Sequence, residues 1–402
     1  MKQNYDIVVV GAGITGLTVA AMLAKGAQAD RWNITLVDAA ARPVVDSSDE
    51  LALRVSAISI GSADLLNCIG AWSIVESGRI CPYDRMRVWD ESDDPNGPST
   101  LRFDADEFAI PHLGYIVENI RLRHALLEVL DETEVALTFS SPLKALQSHG
   151  RGHQITLHDG KTLEADLVIA ADGARSFVRN SAGIDVATRP YEQTAFVTHL
   201  RPDKPHAATA WQRFLRDGPL GILPLDDGRV SVVWSTTPEK AERALKCSDK
   251  DLGHLLSDAS DAVLGRLLVA GPRGAYPLAA QHAERYVAHG IALIGDAAHT
   301  VHPLAGQGAN LGLADARALA DVIQAALENG EYPADRPVLR RYERMRKGEN
   351  ATMMHFITGL NRLFASDSVV LGELRRAGMA LFNRSGPIRQ HVVDVALGGG
   401  RR

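Results

Sequence analysis

A glycine-rich turn near the start of the chain restricts its fold more than any other feature. The β-branched run Tyr5–Val10 leads into Gly11-Ala-Gly13-Ile-Thr-Gly16, which opens a predicted helix, and a second predicted strand ends at Asp38. In a βαβ unit such glycines form the tight turn, admit a pyrophosphate and let the helix pack, while the acid accepts a ribose hydroxyl. The pattern predicts a dinucleotide-binding unit; a glycine-rich turn of another α/β fold is the alternative.

A second glycine-rich segment lies between residues 291 and 315. Four apolar residues, 291–294, predict a short buried strand that ends at Gly295 and Asp296, and helical spacing resumes at Leu311. The loop between them contains Pro303, Gly306, Gly308 and Gly312. Missing side chains let a backbone approach a flat ligand, and an acid at a strand end accepts hydrogen bonds from sugar-like hydroxyls. The segment predicts a cofactor-binding loop, with an ordinary strand-to-helix turn as the alternative.

A third element of the same kind occupies residues 165–179. A buried apolar strand ends there at Asp172 and Gly173. The chain thus has three strands that are each followed by a glycine-rich turn or by a glycine–aspartate pair. Three such elements indicate a dinucleotide that is too large for a single turn to bind.

Three arginines stand near these elements in the sequence. Arg54 lies in an otherwise small and apolar stretch, and Arg121 and Arg123 lie near the start of a helix predicted over residues 118–130. Arginine binds phosphate groups well. A surface salt bridge, or a solvated helix end, explains the same pattern without a ligand.

Composition and charge exclude several classes of protein. The 402 residues are 46% hydrophobic and 23% charged, which is enough for two or three domains with their own cores. The formal net charge of −6 gives no general attraction to nucleic acid. Three cysteines without metal or disulfide spacing fit a reducing compartment. Residues 338–402 contain 12 Lys/Arg against 5 Asp/Glu, a basic tail that could meet an anionic surface or a partner.

The middle of the chain predicts a second, β-rich domain. Its strands are expected over residues 81–90, 194–200, 208–215 and 230–235, while residues 143–161 predict a separate small β-meander. Helical spacing then covers residues 238–268, after which 273–280 is expected to return the chain to the first domain.

Two groups of side chains allow more than one interpretation. An apolar substrate pocket, or plain core, is expected from Trp211, Phe214, Leu223 and Trp234. His299 and His302 have an i, i+3 spacing beside the loop, but no third metal ligand lies near them. We interpret both histidines as structural or adjacent to the cofactor.

Together the motifs resemble those of a known family over nearly the whole chain. They are GAGITGL, RVSAIS, PYDRMRVWD, VEN with the following arginine, ADGARSFVR, FLRDGPLGILPL and LIGDAAHTVHPLAGQGANLGLADA. The chain is similar to the flavoprotein aromatic hydroxylases, and most similar to the polyprenylphenol hydroxylases of ubiquinone biosynthesis. The resemblance implies an α/β fold of the para-hydroxybenzoate hydroxylase type, with a Rossmann-like FAD-binding domain, an antiparallel β-sheet substrate domain and C-terminal helices.

The resemblance also implies a division of the chain and an activity. The FAD-binding domain would cover residues 1–75, 100–185 and 286–340, the substrate domain 76–99 and 186–285, and the C-terminal helical region 341–402. The activity would be FAD-dependent hydroxylation of a polyprenylated phenol or quinol, with NAD(P)H as reductant and O2 as co-substrate, through a flavin C4a-hydroperoxide. Flavin performs the difficult chemistry, so the protein must bind, orient and exclude water. A small soluble phenol as substrate, or a flavin scaffold without turnover, is the alternative.

Carried over onto this chain, the resemblance assigns contacts to individual residues. The cofactor is expected to be bound by Gly11, Gly13, Gly16, Asp38, Arg54, Arg123, Asp172, Gly295, Asp296, Gly306, Gly308, Ala309 and Asn310. The catalytic environment of the flavin ring is expected to come from Pro303, Gly306 and Gln307, without an acid–base residue and without a metal.

The partners follow from the implied substrate. A polyprenylated phenol is hydrophobic and resides in the bilayer, so the implied enzyme is cytoplasmic or peripheral to the inner membrane and binds no nucleic acid. The apolar stripes of residues 353–364 and 369–382 either pack on the body or form a surface for membrane or partner proteins. A homo-oligomer and a ubiquinone-biosynthesis complex both remain open.

Overall fold

A computed structural model describes residues 4–45, 50–302, 307–364 and 368–398 of the chain. The strands within these residues are β1 (Tyr5–Val10), β2 (Trp32–Val37), β3 (Val55–Ile58), β4 (Ile80–Tyr83), β5 (Arg85–Asp90), β6 (Leu101–Asp104), β7 (Gly114–Glu118), β8 (Ala136–Thr138), β9 (Leu143–His149), β10 (Gly152–Leu157), β11 (Thr162–Ala165), β12 (Leu167–Ala170), β13 (Val186–Pro202), β14 (Thr209–Leu215), β15 (Gly218–Pro224), β16 (Val230–Thr236), β17 (Leu267–Ala283), β18 (Val287–Ala288), β19 (Ile291–Leu293) and β20 (His299–Thr300). The α-helices are α1 (Ile14–Lys25), α2 (Ile60–Cys68), α3 (Ala71–Glu76), α4 (Asn119–Asp131), α5 (Phe177–Ser181), α6 (Pro238–Lys246), α7 (Asp249–Ala259), α8 (Gln307–Glu328), α9 (Arg336–Phe364), α10 (Val369–Arg384) and α11 (Gly386–Ala396).

A six-stranded sheet forms the first half of the molecule, in the order β18-β19-β12-β1-β2-β8. All neighbours except β18 and β19 run parallel. Its central strands are buried on both faces, which explains their nearly continuous apolar sequences. The predicted βαβ unit is confirmed, with α1 between β1 and β2.

The three glycine-containing motifs meet at one edge of this sheet. Val10 is the register partner of Ala170, and Ala170 is the register partner of Leu293. Because the three strands run parallel, their carboxyl ends and the turns that follow lie side by side. The edge of the sheet therefore gathers segments that lie far apart in the sequence.

An eight-stranded sheet forms the second half, in the order β20-β17-β13-β16-β15-β14-β5-β6. Its neighbours pair antiparallel except β14 and β5, which are parallel. One face packs a core of Phe196, Val232 and Trp234 together with residues of α6 and α7. The other face is directed away from that core. Two three-stranded sheets complete the fold: β11-β10-β9, the predicted meander, and β3-β7-β4.

Several expected element boundaries are wrong. Residues 81–90 form two strands instead of one, because the chain breaks at Asp84, whose N–H donates to the carbonyl of Ala208. The helix after the glycine-rich loop begins at Gln307 instead of Leu311. Glycine disfavours a helix only weakly, by about 1 kcal/mol per residue, so tertiary packing can extend a helix through Gly308.

The stretch 238–268 is also not one helical segment. Two helices, α6 and α7, are separated at Ser248, whose hydroxyl caps α7 by accepting from the N–H of Asp251. The chain then turns and starts β17 at Leu267. Residues 273–280 do not lead back to the first sheet but lie inside β17, paired with β13.

The C-terminal helices pack along the eight-stranded sheet and its loops. Ile357 and Phe364 of α9 and Met379 of α10 share a core with Val88 and Phe214. The last helix, α11, lies within the expected C-terminal helical region, and its Val393 packs with Phe108 and neighbouring apolar residues. Among the described residues, no helix combines the length and apolar character needed to cross a bilayer.

Candidate functional site

A cavity of about 920 Å³ opens at the edge of the six-stranded sheet. Its walls come from the motif loops, from the start of α8 and from the free face of the eight-stranded sheet. The expected cofactor residues that line it are Gly13, Arg54, Arg123, Asp296, Gly308, Ala309 and Asn310. Five other expected residues do not line it: Gly11, Gly16, Asp38, Asp172 and Gly295. Pro303 and Gly306 lie outside the described residues, and Gln307 is the first residue of α8.

The glycines of the first turn have different tasks. Gly11 has a φ of +107°, and a Cβ there would lie 2.3 Å from the carbonyl oxygen of Ala171. A Cβ on Gly16 would lie 2.0 Å from the carbonyl oxygen of Gly11. A Cβ on Gly13 would meet nothing within 4 Å. Gly11 and Gly16 therefore permit close packing, whereas Gly13 leaves open space at the cavity.

The start of α1 faces this open space. Its N-cap is Gly13, and no side chain caps the helix. The first N–H groups of an α-helix lack partners within the helix, and the helix dipole favours negative charge there. This helix end can bind a phosphate group.

Asp38 and Arg123 hold the turn from both sides. The carboxylate of Asp38 accepts from the N–H of Ala12 at 2.5 Å and from the N–H of Ala40 at 2.7 Å. Nε of Arg123 donates to the carbonyl of Ala12 at 2.9 Å. Burial lowers the pKa of the Arg123 guanidinium; Asp38 opposes this shift and Arg54 adds to it. Two guanidinium groups thus sit close enough to interact at the cavity wall, an arrangement that favours an anionic ligand.

The segment 165–179 contributes a carboxylate, Asp172, of which one oxygen is still unpaired within the described chain. Oδ2 of Asp172 accepts from the N–H of Val178 at 3.1 Å, while Oδ1 is buried without a partner among the described residues. The next residue, Gly173, lines the cavity with a φ of +82°. Asp172 therefore both fixes the turn before α5 and leaves one acceptor unused.

Arg179 is a residue that the sequence analysis did not identify. It is buried, and its guanidinium donates to the carbonyl of Ala174 at 2.9 Å and to that of Ala297 at 3.0 Å. It thus connects the loop after Asp172 with the loop after Gly295. Burial lowers its pKa, and Asp172 opposes the shift.

The segment 291–315 contributes a second carboxylate, Asp296, which lies at the cavity. Asp296 lies in a short 3-10 turn, Gly295–Ala297, with its side chain open to the cavity and protein around its other sides. Burial raises the pKa of its carboxyl, against the opposing charges of His299 and Arg54. A carboxyl in this position can accept hydrogen bonds from a hydroxylated ligand.

A buried polar network behind this loop was also missed. Both oxygens of Asp315, a fully buried residue of α8, are engaged. One accepts from the N–H of Gly295 at 3.1 Å and contacts Nε2 of His299; the other accepts from Nε of Arg346 at 2.7 Å and from Asn350 at 3.1 Å. Burial alone would raise the pKa of Asp315, but His299 and Arg346 hold it below its usual value. Asp315 lies one helical turn before the buried Leu319, and this spacing indicated that Asp315 is buried too. No local sequence pattern indicated its partners.

Asn310 connects α8 with the strand that carries Arg54 towards the site. Its Oδ1 accepts from the N–H of Ser59 at 3.0 Å, and its Nδ2 donates to the carbonyl of Ala57 at 2.8 Å. These bonds hold the beginning of α8 against the end of β3. The cavity wall at Gly308 and Ala309 is fixed in consequence.

The opposite wall is mostly apolar. Of the four residues expected at a pocket or in the core, Trp211 and Leu223 line the cavity. Phe214 instead stacks on Phe364, with ring centroids 3.9 Å apart, and Trp234 lies in the core under α6 and α7. From the C-terminal helix, Val392, Val393 and Leu397 reach the same cavity. The sequence did not indicate this contribution, nor that of Gln212, Ser231 and Ser235.

The two histidines of the segment 291–315 have separate surroundings. His299 contacts Asp315, and Nε2 of His302 lies 3.1 Å from Oε1 of Gln193. Burial lowers the pKa of His302 to about 4, so its ring is neutral at neutral pH. Within the described part of the chain, no group of three or more His, Cys, Asp or Glu is arranged to hold a metal ion.

These features suit a flavin dinucleotide. An uncapped helix start and two arginines suit the pyrophosphate, the carboxyl of Asp296 suits hydroxyls, and open space at Gly13 and Gly308 admits a flat group. The apolar sheet face leaves a dry compartment beside it.

Comparison with known proteins agrees with this geometry. The FAD binding domain family matches residues 4–356. The 3-demethoxyubiquinol 3-hydroxylase of Escherichia coli (strain K12) is 35% identical over 400 residues, 99% of each chain. The ubiquinone hydroxylase UbiL of Rhodospirillum rubrum is 36% identical over 401 residues, 98% of this chain and 89% of that protein.

A solved structure shows the same fold. The crystal structure of PqsL from Pseudomonas aeruginosa in complex with 2-aminobenzoylacetate has a TM-score of 0.75 and 23% identity, over 94% of this chain and 99% of that one. The cofactor of the present chain is FAD, as its family and its site agree. The chain therefore belongs to the FAD-binding-domain family, as a flavoprotein monooxygenase related to the ubiquinone-biosynthesis hydroxylases.

Proposed function

We propose that the protein hydroxylates the aromatic ring of a polyprenylated phenol or quinol in ubiquinone biosynthesis, using FAD, NAD(P)H and O2. The relatives named above are hydroxylases of ubiquinone or demethoxyubiquinol, and they match nearly the full chain. The observation that carries the proposal is one cavity of about 920 Å³ that joins the motif loops to an apolar sheet face. Such a cavity holds a flavin dinucleotide and a hydrophobic ring in one compartment.

We propose roles for the site residues on the same basis. Gly13 and the start of α1 hold the pyrophosphate with Arg123, Asp38 supports the ribose end through the glycine turn, and Asp296 binds hydroxyls of the ribityl side. Arg54 and the segment Gly308–Ala309–Asn310 border the flavin ring. We keep Pro303, Gly306 and Gln307 as the flavin-ring environment, and Gly11, Gly16, Gly295 and Asp172 as the residues that shape the loops.

The chemistry divides between cofactor and protein. When bound and reduced by NAD(P)H, FAD would supply the activation of O2, from which one oxygen atom enters the ring and the other leaves as water. The chain itself positions the ring and keeps water out, with side chains such as Val197, Leu223 and Val233 along the cavity. No acid–base pair is required of it in this proposal.

The division of labour between the sheets leads to a proposed domain organisation. The six-stranded sheet with α1, α4 and α8 forms the FAD-binding part, and the eight-stranded sheet forms the substrate-binding part. Strand β6, at residues 101–104, pairs with β5 in the eight-stranded sheet, so we place it on the substrate side. The C-terminal helices then cover the substrate side of the cavity.

We further propose a peripheral contact with the membrane through α10 and α11. Exposed apolar side chains recur at helical spacing on both helices: Val370, Leu374, Leu381, Ile388, Val392 and Val395. The sequence from residue 368 to 402 carries six arginines against two acidic residues, which suits an anionic lipid surface. Val392 is both exposed and part of the cavity wall, so the cavity adjoins this surface.

One experiment separates the proposed function from its alternatives. The purified protein is mixed anaerobically with NADPH or NADH, with a prenylated phenol, with a small soluble phenol or with neither, and the flavin absorbance is followed. Faster bleaching with the prenylated phenol supports the proposal. Acceleration by the small phenol alone favours a soluble substrate, and bleaching that no phenol accelerates favours a flavin scaffold.

A further inference from the structure

Three polar side chains interrupt the apolar face of the eight-stranded sheet. Gln212, Ser231 and Ser235 all line the cavity, with exposed fractions of 7%, 0% and 2%. Oγ of Ser231 has no hydrogen-bond partner, and within the described residues the side chains of Gln212 and Ser235 make no hydrogen bond either. Buried polar groups without partners are destabilising. The hydroxyl of Ser231 is covered by protein, whereas the polar atoms of Gln212 and Ser235 are not among the buried unpaired atoms and are open to a ligand at the cavity wall.

The strand register places these side chains around a gap. Val233 of β16 is the register partner of Gly221 of β15, which in turn is the register partner of Gln212 of β14. Neighbouring strands lie about 4.8 Å apart, so Val233 and Gln212 stand on either side of Gly221 with roughly 10 Å between their backbones. Ser231 and Ser235 lie two residues before and after Val233, on the same face of the sheet.

Gly221 keeps this gap open. It does not have a positive φ, so the backbone does not require glycine there. A Cβ at Gly221 would have the carbonyl oxygen of Val233 as its nearest neighbour, at 3.7 Å, with nothing closer. Larger side chains would therefore extend into the cavity between Gln212 and Val233. We call the group Gln212, Gly221, Ser231, Val233 and Ser235 the Gly221 notch.

We propose that the Gly221 notch binds the oxygen-bearing edge of the aromatic substrate, with the amide of Gln212 hydrogen-bonded to a ring hydroxyl. This inference rests on the proposed function of the cavity. A primary amide both donates and accepts, as does a phenolic hydroxyl, so the two groups are complementary. The hydroxyl of Ser235 offers the same complementarity to a second oxygen substituent. Gln212 is thus a residue that determines specificity, because it distinguishes an oxygenated ring from one that lacks the hydroxyl.

The apolar surroundings make this discrimination effective. The cavity wall near the notch includes Val197, Ala210 and Leu223, none of which has a polar side chain. In such surroundings a ring without its hydroxyl would leave the amide of Gln212 unpaired, whereas a phenol would pair it. The loss of one buried hydrogen bond corresponds to roughly tenfold in affinity.

The test compares two ligands on the FAD-loaded enzyme. The ligands are a prenylated phenol and the same compound with hydrogen in place of the hydroxyl, and their dissociation constants are measured from the change in flavin absorbance. We expect wild type to prefer the phenol by roughly tenfold. Gln212→Met keeps the length of the side chain but not its hydrogen bonds, so it should bind the two ligands equally, with unchanged FAD affinity. Gly221→Val should weaken the binding of both ligands, because the valine side chain fills the gap.

A control variant and a second variant distinguish failure of the notch proposal from failure of the proposed function. Gln154→Met, at a half-buried position of β10 outside the cavity, should keep the wild-type preference. Ser235→Ala offers a second test should Gln212→Met fail to fold, with a smaller loss of preference expected. The notch proposal is overturned if Gln212→Met retains the wild-type preference, or if it lowers FAD affinity, which would place the notch against the cofactor. A wild type that binds no phenol overturns the proposed function together with it.

Discussion

Nε2 of His299 lies 2.5 Å from Oδ2 of Asp315, and this contact ties the loop that carries Asp296 to the buried side of α8. The same carboxylate accepts from Arg346 of α9, so three segments between residues 295 and 346 share one buried acid. The cavity wall at Asp296 therefore depends on a residue that does not line the cavity.

Asp315→Asn should destabilise the protein strongly. The substitution leaves the buried guanidinium of Arg346 with only the exposed carboxylate of Glu349, and breaking a buried ion pair on one side costs about 3–5 kcal/mol. Thermal unfolding with and without FAD measures the loss. Asp321→Asn is the matched control on the same helix, because Asp321 is exposed and pairs only loosely with Arg317 at 3.8 Å. Equal melting temperatures for the two variants would contradict the role of Asp315.

Gly11→Ala and Gly13→Ala should separate folding from cofactor binding. At Gly11 the positive φ and the 2.3 Å approach to a backbone oxygen should cost about 1–3 kcal/mol, even without FAD. At Gly13 the added methyl group meets no protein atom, so the apoprotein should keep its stability while FAD binds more weakly. Urea unfolding of the apoprotein and fluorescence titration with FAD provide the two readings. If Gly13→Ala bound FAD as wild type does, the helix start would not contact the cofactor.

Stability should fall as the pH drops from about 6.5 towards 4. Burial lowers the pKa values of His282 and His302 from 6.5 to about 4 in the folded state, so between these values the unfolded chain binds protons that the folded chain does not. The effect is absent above pH 6.5 and complete below about 4. Asp315, whose pKa is also lowered, acts in the same direction at the acidic end.

The measurement is the free energy of unfolding in urea at pH 7.5, 5.5 and 4.5. The double variant His282→Gln, His302→Gln should show a flatter dependence, even if it is less stable at pH 7.5. His158→Gln, in an exposed turn, is the control and should keep the wild-type slope. An unchanged slope in the double variant would assign the acid sensitivity to other groups.

Leu374→Glu and Ile388→Glu should weaken binding to vesicles. Both side chains are more than 60% exposed on the stripes of α10 and α11, where a carboxylate would meet the lipid surface. Sedimentation with vesicles of phosphatidylcholine and phosphatidylglycerol compares them with Leu268→Glu, an exposed position on β17. We expect the first two to lose binding and the control to keep it.

Two results would count against the membrane contact. Wild type that stays in the supernatant at low salt would exclude it, and a stable dimer that Ile388→Glu dissociates would assign the surface to a second copy. None of the three positions lines the cavity, so activity on a short-chain soluble phenol should be unchanged.

The motifs of the first sheet could be predicted because local sequence specifies them. The strand before Gly11, the glycine turn and the strand before Asp38 each follow from a short pattern, and the structure confirms them. The buried strand before Asp172 and the segment from Ile291 were recognisable for the same reason. Where the local signal was ambiguous, as at residues 81–90 and 238–268, pairing with distant strands decided the boundaries.

The sequence motifs that form the candidate site could be recognised, but the buried residues that hold their loops in place could not. Arg179, Asp315 and Arg346 act through bonds to residues far away in the chain, and no short pattern identifies such partners. Gln212 and Gly221 belong to different strands, so only the register reveals that they are neighbours.

The sequence by itself determined the βαβ unit, the glycine positions that backbone geometry requires and the family to which they belong, because these depend on residues close together in the chain. Tertiary structure alone decided which polar groups are buried together, which aromatic residues face the cavity and how the C-terminal helix reaches it. Strand pairing and packing bring distant residues into contact. Burial then strengthens the polar contacts and makes an unpaired polar group costly.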